Sequence, residues 1–229
     1  MSFLSLDADE IVRTIDTLSR RIEERFPGAG LGRVCRELLA IGRHARERAQ
    51  WIAQPILVLR VITVGLAVLI LAGLGLTFAR LKPPAGGFEV GQFIQVLEAG
   101  INDLVLIGAA IFFLGTLEGR IKRRRALRAL HELRSIAHII DMHQLTKDPE
   151  RTVGDAPATE SSPVRRMTPL ELGRYLDYCS EMLSLTGKVA ALYVQHFDDS
   201  VALQAVNEIE DLTTGLSSKI WQKLMILST

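Results

Sequence analysis

Residues 61–79 (VITVGLAVLILAGLGLTFA) restrict this chain more than any other stretch, because nineteen successive positions carry no charge. As a helix rising 1.5 Å per residue, the run covers about 28 Å, close to the hydrocarbon thickness of a bilayer. Buried helices of water-soluble proteins rarely continue so far without a polar face. The run therefore predicts a membrane span. It does not read as a secretory leader, since sixty residues precede it, many are charged, and the N-terminus has no apolar h-region.

A second run follows at residues 104–117 (LVLIGAAIFFLGTL). Fourteen charge-free residues are too few to cross, but extension back to Ala99 gives enough length and takes in Asn102 and Asp103. Between the runs, residues 81–92 (LKPPAGGFEVGQ) are short and rich in helix breakers, as the turn of a hairpin requires. Charge supplies the orientation. Arg43, Arg46, Arg48 and Arg60 precede the first run; Arg120, Lys122, Arg123, Arg124, Arg125 and Arg128 follow the second; the connection holds only Arg80 and Lys82. By the positive-inside rule both termini are expected in the cytoplasm, at the inner membrane if the source is bacterial.

Composition narrows the remaining classes. Mean hydropathy is +0.22 although 23% of residues are charged, so the apolar residues are concentrated in part of the chain. Lys plus Arg number 27 against 26 for Asp plus Glu, a net +1 that does not suit a polyanion binder, and no nucleic-acid partner is expected. Cys35 and Cys179 are too few for a disulfide scaffold.

Outside the spans the periods are helical. Ile11, Ile15, Leu18, Ile22 and Phe26 recur at three- and four-residue steps, with Asp7 and Glu10 placed as a capping box and residues 27–30 (PGAG) as the stop. Leu31, Val34, Leu38, Ile41 and Ala45 form the next stripe, leading to Trp51 at the level of an interfacial anchor. Ala126, Leu130, Leu133, Ala137 and Ile140 carry a third stripe away from the second span, which should end before Asp148-Pro149. Residues 150–166 lack apolar anchors and read as a flexible linker. Thr168-Pro169-Leu170-Glu171 opens a new helix whose buried face runs from Leu172 to Phe197. Asp198-Asp199-Ser200 breaks it, and a last stripe runs from Val201 to Leu227. Two helices of about 28 residues joined by about three would form an antiparallel hairpin with near-heptad, coiled-coil-like spacing.

The expected fold is an all-α membrane protein: a two-span transmembrane hairpin with a cytoplasmic helical bundle. Its segments are N-terminal helices (1–54), the hairpin (55–119, spans near 56–80 and 96–118), a basic membrane-proximal helix (120–148), the linker (149–167) and the C-terminal hairpin (168–229). Charge divides unevenly among them: residues 120–134 hold seven bases and one acid (+6), and residues 171–211 eight acids and two bases (−6).

Chemistry-bearing constellations are sparse. His138 and Asp141 share a helix face, with His131 and His143 nearby, a weak zinc or iron set to which His196, Asp198 and Asp199 could add. No Glu-x-x-His, His-Glu-x-x-His or Cys-x-x-Cys occurs. Neither does a Gly-x-Ser-x-Gly elbow or a phosphate loop, so no enzyme and no cofactor are expected. Lys122, Arg123, Arg124 and Arg125 read first as lipid-headgroup contacts and second as a dock for the acidic hairpin. Within the second span Asp103, Asn102 and Glu98 are the polar positions; a ring of Asp103 in an oligomer would favour cations, whereas Arg80 or Lys82 could neutralise it singly. Antiparallel depth matching pairs residues whose numbers sum to about 180, which sets Arg60 beside Glu118 at the cytoplasmic rim and Thr77 beside Asp103 outside. Gly75, Ala79, Gly108, Gly115 and Gly119 allow close helix approach, within the hairpin or between copies.

The layout is similar to that of several small membrane adaptors and of two-span pore-forming effectors of bacterial defence; layout alone transfers no function and no residues. The sequence thus points first to a non-enzymatic membrane protein, homo-oligomeric or bound to a cytoplasmic protein partner. An oligomeric pore with Asp103 near its outer mouth, and a metalloprotein using His138 and Asp141, are the alternatives.

Overall fold

A computed structural model describes residues 5–80, 90–149, 160 and 167–228, without the side chains of 53, 77–80, 92, 93 and 96. Its regular elements are all helices: α1 (Ala8–Arg25), α2 (Gly30–Ala53), α3 (Leu57–Arg80), α4 (Val90–Leu145), α5 (Pro169–Leu192) and α6 (Ser200–Ser228). They divide into two compact units, one formed by Met1–Ala53 with Arg123–Thr229, the other by Gln54–Lys122.

The first unit is a bundle closed around its own core. Asp7 caps α1 by accepting from the amides of Asp9 and Glu10, while the Glu10 carboxylate turns to Arg13 instead of completing a capping box. Gly28, at φ 71°, supplies the left-handed turn between α1 and α2 that a side chain would resist. Ile15, Leu38, Leu133, Leu176 and Ile220 are fully enclosed. Phe26 meets Tyr175 and Tyr178 edge-on, with ring centroids 5.5 and 6.2 Å apart. Thr168 and Glu171 form a complete capping box at the start of α5. Helices α5 and α6 run antiparallel: a Cβ on Gly173 would meet Leu224 at 4.0 Å, and one on Gly187 would meet Thr213 at 3.4 Å.

Two expectations change here. Helix α5 stops at Leu192, short of Phe197. Tyr193, Val194 and Phe197 then turn through amides that reach back three residues, to Ala190, Ala191 and Val194. Aromatic and β-branched residues in that run weaken the helix, and Gln195 commits its amide to both backbone groups of Leu6. The C-terminal helices therefore have 24 and 29 residues rather than 28 each, and a longer connection. Val201, assigned to the buried stripe, is 41% exposed. The linker residues 150–159 and 161–166 and the inter-span residues 81–89 lie outside the described residues.

The second unit has two helices of membrane-spanning length and composition, neither of whose spanning windows is buried at all. On α3 only Ile56, just before it, and Leu59, Thr63, Ala67, Ile70 and Leu74 are partly covered, one stripe at three- and four-residue steps. On the spanning part of α4 the covered positions are Ile107, Leu114 and then residues 116–119. The other described side chains of the spans stand open, such as Leu69 at 68% and Leu104 at 71% exposure. The expected second span and the basic helix after it are one 56-residue helix.

Candidate functional site

The rim of the second unit is built around one carboxylate. Glu118 accepts from Arg60 Nε at 3.0 Å, from Lys122 Nζ at 2.9 Å and from the Ile56 amide at 3.3 Å. Because Ile56 immediately precedes α3, this last bond satisfies a free N–H at a helix start, where negative charge is also favoured by the helix dipole. Arg60 remains 61% exposed, while Lys122 and Glu118 keep 11% and 15% of their side-chain surface. The pairing is with α4's own next turn as well as across to α3.

The polar residues farther along α4 have no such company. Glu98, Asn102 and Asp103 are all exposed, and their side chains bond to nothing among the described residues. Lys82 lies outside the described residues, as do the side chains of Arg80 and Thr77, so those suggested partners of Asp103 have no geometry here.

In the first unit the basic segment opens on a second carboxylate. Asp199 takes Arg123 Nε at 3.0 and 2.8 Å on its two oxygens and a terminal guanidinium nitrogen at 2.7 Å. The same carboxylate accepts from the Ala202 amide at 3.0 Å, capping α6. Burial by itself would raise the Asp199 carboxyl, but Arg123 and the amides of Ala202 and Val201 hold it below its ordinary value. Arg125 stacks on Trp51 with the guanidinium 3.4 Å from the ring centroid. Arg124 is exposed. Farther along α4, Arg134 meets Glu208 at 2.7 Å and Glu132 meets Arg48 at 2.9 Å. Lys223 closes the end of α4 by donating to the Gln144 and Lys147 carbonyls at 2.8 and 2.9 Å.

Asp199→Ala should lower the stability of this unit by about 2 kcal/mol, roughly half from the lost cap and half from the charge-assisted bonds. Asp199→Asn keeps the cap and should lose about 1 kcal/mol. The pH dependence has a definite sign. A carboxyl lowered in the fold contributes stability above its unfolded value, near 3.8, and loses it as pH falls through the lower folded value. Urea unfolding followed by circular dichroism should therefore show the gap between wild type and Asp199→Asn at neutral pH, and that gap narrowing in acid.

The structure argues against the metal reading. No group of three His, Cys, Asp or Glu among the described residues could hold an ion. His138 and His131 point to solvent, and Asp141 accepts from Gln144 Nε2 at 2.6 Å. His143 lies 3.4 Å from the Tyr175 hydroxyl, with its pKa lowered by burial and by Lys147 and Arg33. His196 sits beside Gln195. Sequence position put the histidines on one helix, but only the neighbouring helices decide what each one faces. A cleft of about 610 Å³ between the start of α1, α2 and the α5–α6 connection, crossed by the Asp9–Arg46 pair at 2.8 Å, had no sequence signal. Cys35 and Cys179 are buried free thiols, both pushed up to about 12 by burial. The sequence matches no known protein family, no curated protein and no solved structure.

Proposed function

We propose that this chain is a non-enzymatic integral membrane protein, anchored by the α3–α4 hairpin, whose helical bundle acts on the cytoplasmic side through self-association or a protein partner. One observation carries the reading: the residues before and after the apolar hairpin share a single hydrophobic core, while no residue of the hairpin's spanning windows is buried by protein. Apolar helices so uncovered need a hydrocarbon solvent. Flanks that fold into one core must lie on one side of a bilayer, so the segment between them crosses an even number of times. The Lys and Arg excess on both flanks makes that side the cytoplasm. Reporter fusions at Ala85 and Thr229 are expected to give opposite signals, and matching signals would remove the hairpin.

A conducting pore is the second reading, favoured by the exposure of Glu98, Asn102 and Asp103 on a spanning helix. Liposomes containing the purified chain separate the two. No ion flux leaves the association protein; a cation flux reduced by Asp103→Asn establishes the pore.

A further inference from the structure

Helix α4 has two faces within the span, and only one is accounted for. Ile107 and Leu114 share one side with Glu118, whose pair with Arg60 turns that side toward α3, and only in the last turn, residues 116–119, does partial cover extend around the helix, Thr116 and Gly119 included. At about 100° per residue, Gln95, Asn102, Ala109 and Thr116 lie on roughly the opposite side, at steps of seven. Three positions after each come Glu98, Val105, Phe112 and Gly119, which complete four successive a/d pairs. Gln95, Glu98, Asn102, Val105, Ala109 and Phe112 are exposed, with Phe112 at 70% and Val105 at 63%.

The composition of this face is the informative part. A lipid-facing stripe should be uniformly apolar, yet this one places an amide, a carboxylate and a second amide along one line and small residues farther in. Gln95, Glu98 and Asn102 find no partner among the described residues, and Thr116 meets only the Phe113 carbonyl of its own helix, at 3.0 Å. A carboxamide holds both donors and an acceptor, so two copies of Asn102 at one depth complement each other. Gln95 can in turn donate to Glu98 across the seam. Every copy inserts with the same orientation, so α4 helices from two copies meet parallel and in register, the arrangement in which like a positions face one another. Ala109 and Gly119 keep the backbones close enough for this contact. Asp103 lies about 100° from Asn102 and falls outside the seam.

We propose that the face of α4 carrying Gln95, Asn102, Ala109 and Thr116 is the self-association surface of this protein, and that a second copy of the same helix, parallel and in register, occupies it. The inference rests on the membrane reading above and names the surface through which self-association takes place.

Single cysteines and oxidative cross-linking in native membranes test it on the full chain. Asn102→Cys and Ala109→Cys should link into dimers, while Leu104→Cys and Ile111→Cys, exposed on other sides of the same helix, should not. The unaltered chain is the blank, since Cys35 and Cys179 are buried. In the Ala109→Cys background, Asn102→Leu should weaken dimerisation about fivefold to thirtyfold, the usual worth of an interhelical amide bond in model spans, and Asn102→Gln should largely restore it. Equal linking at all four positions, or linking confined to Leu104 and Ile111, would overturn the seam while leaving the chain a membrane protein. So would a membrane-bound chain that links nowhere. Release of the unaltered chain by alkaline carbonate would instead overturn the membrane reading, and the seam with it.

Discussion

Glu118→Ala is expected to cost the spanning hairpin about 2–4 kcal/mol, the largest loss for any single polar change in it. The cost does not come from Arg60, which is exposed enough to turn toward water or headgroups when its partner leaves. It comes from Lys122, whose side chain keeps little surface, and from the Ile56 amide, which loses its acceptor at a helix start. A charge left without its partner away from water is far costlier than a pair replaced as a whole. Glu118→Leu combined with Lys122→Met should accordingly recover part of the loss, although Glu118→Leu alone does not. Unfolding in detergent micelles measures each variant. A cycle with Arg60→Ala should show coupling of about 0.5 kcal/mol; equal losses for Glu118→Ala with and without Lys122→Met would dismiss the lysine as the source.

Leu176→Ala should destabilise the bundle by about 3 kcal/mol, within the range for emptying an enclosed leucine site. Leu176 is 0% exposed in a core to which every helix of the bundle contributes. Few of its neighbours can move inward without opening gaps of their own. The test has two readouts. Urea unfolding of the helical signal should shift, while resistance of the chain to carbonate extraction should not, because the apolar runs of α3 and α4 lie outside that core. Loss of both together would mean that the bundle and the anchor do not fold as separate units.

The helical architecture and the two apolar spans were legible because each rests on a local pattern. Nineteen charge-free residues need no tertiary information to read as an apolar helix, and Thr168-Pro169-Leu170-Glu171 announces a helix start by its own side chains. Counting inward from the charged ends sets Arg60 level with Glu118, but it says nothing of Lys122 or the Ile56 amide, which share the carboxylate. The end of α5 was illegible for a related reason. Its apolar period continues to Phe197, but the helix ends at Leu192, and the turn that follows carries Gln195, bonded to Leu6, 189 residues away. Asp199 read as part of a breaker; its engagement by Arg123 depends on how α4 meets the α5–α6 connection, which no spacing encodes. His138 and Asp141 erred in the opposite direction, a suggestive spacing in which His138 meets solvent and half-buried Asp141 is taken by Gln144.

The bundle draws its core from both flanks of the apolar hairpin, and the ribosome delivers those flanks at different times. Ile15 lies beside Gly42, and Val189 of α5 reaches the same glycine. From the end of α2 to the end of α5 about 140 residues must be made, which takes roughly 7–28 s at ordinary synthesis rates. On the membrane reading proposed above, both apolar runs pass into the bilayer during that interval. Throughout it the residues of α1 and α2 that pack on α5 in the finished fold have no α5 to cover them. On that reading a chain that terminates early leaves the ribosome already anchored and with those residues uncovered, a target for chaperones and proteases rather than a smaller working version of the protein.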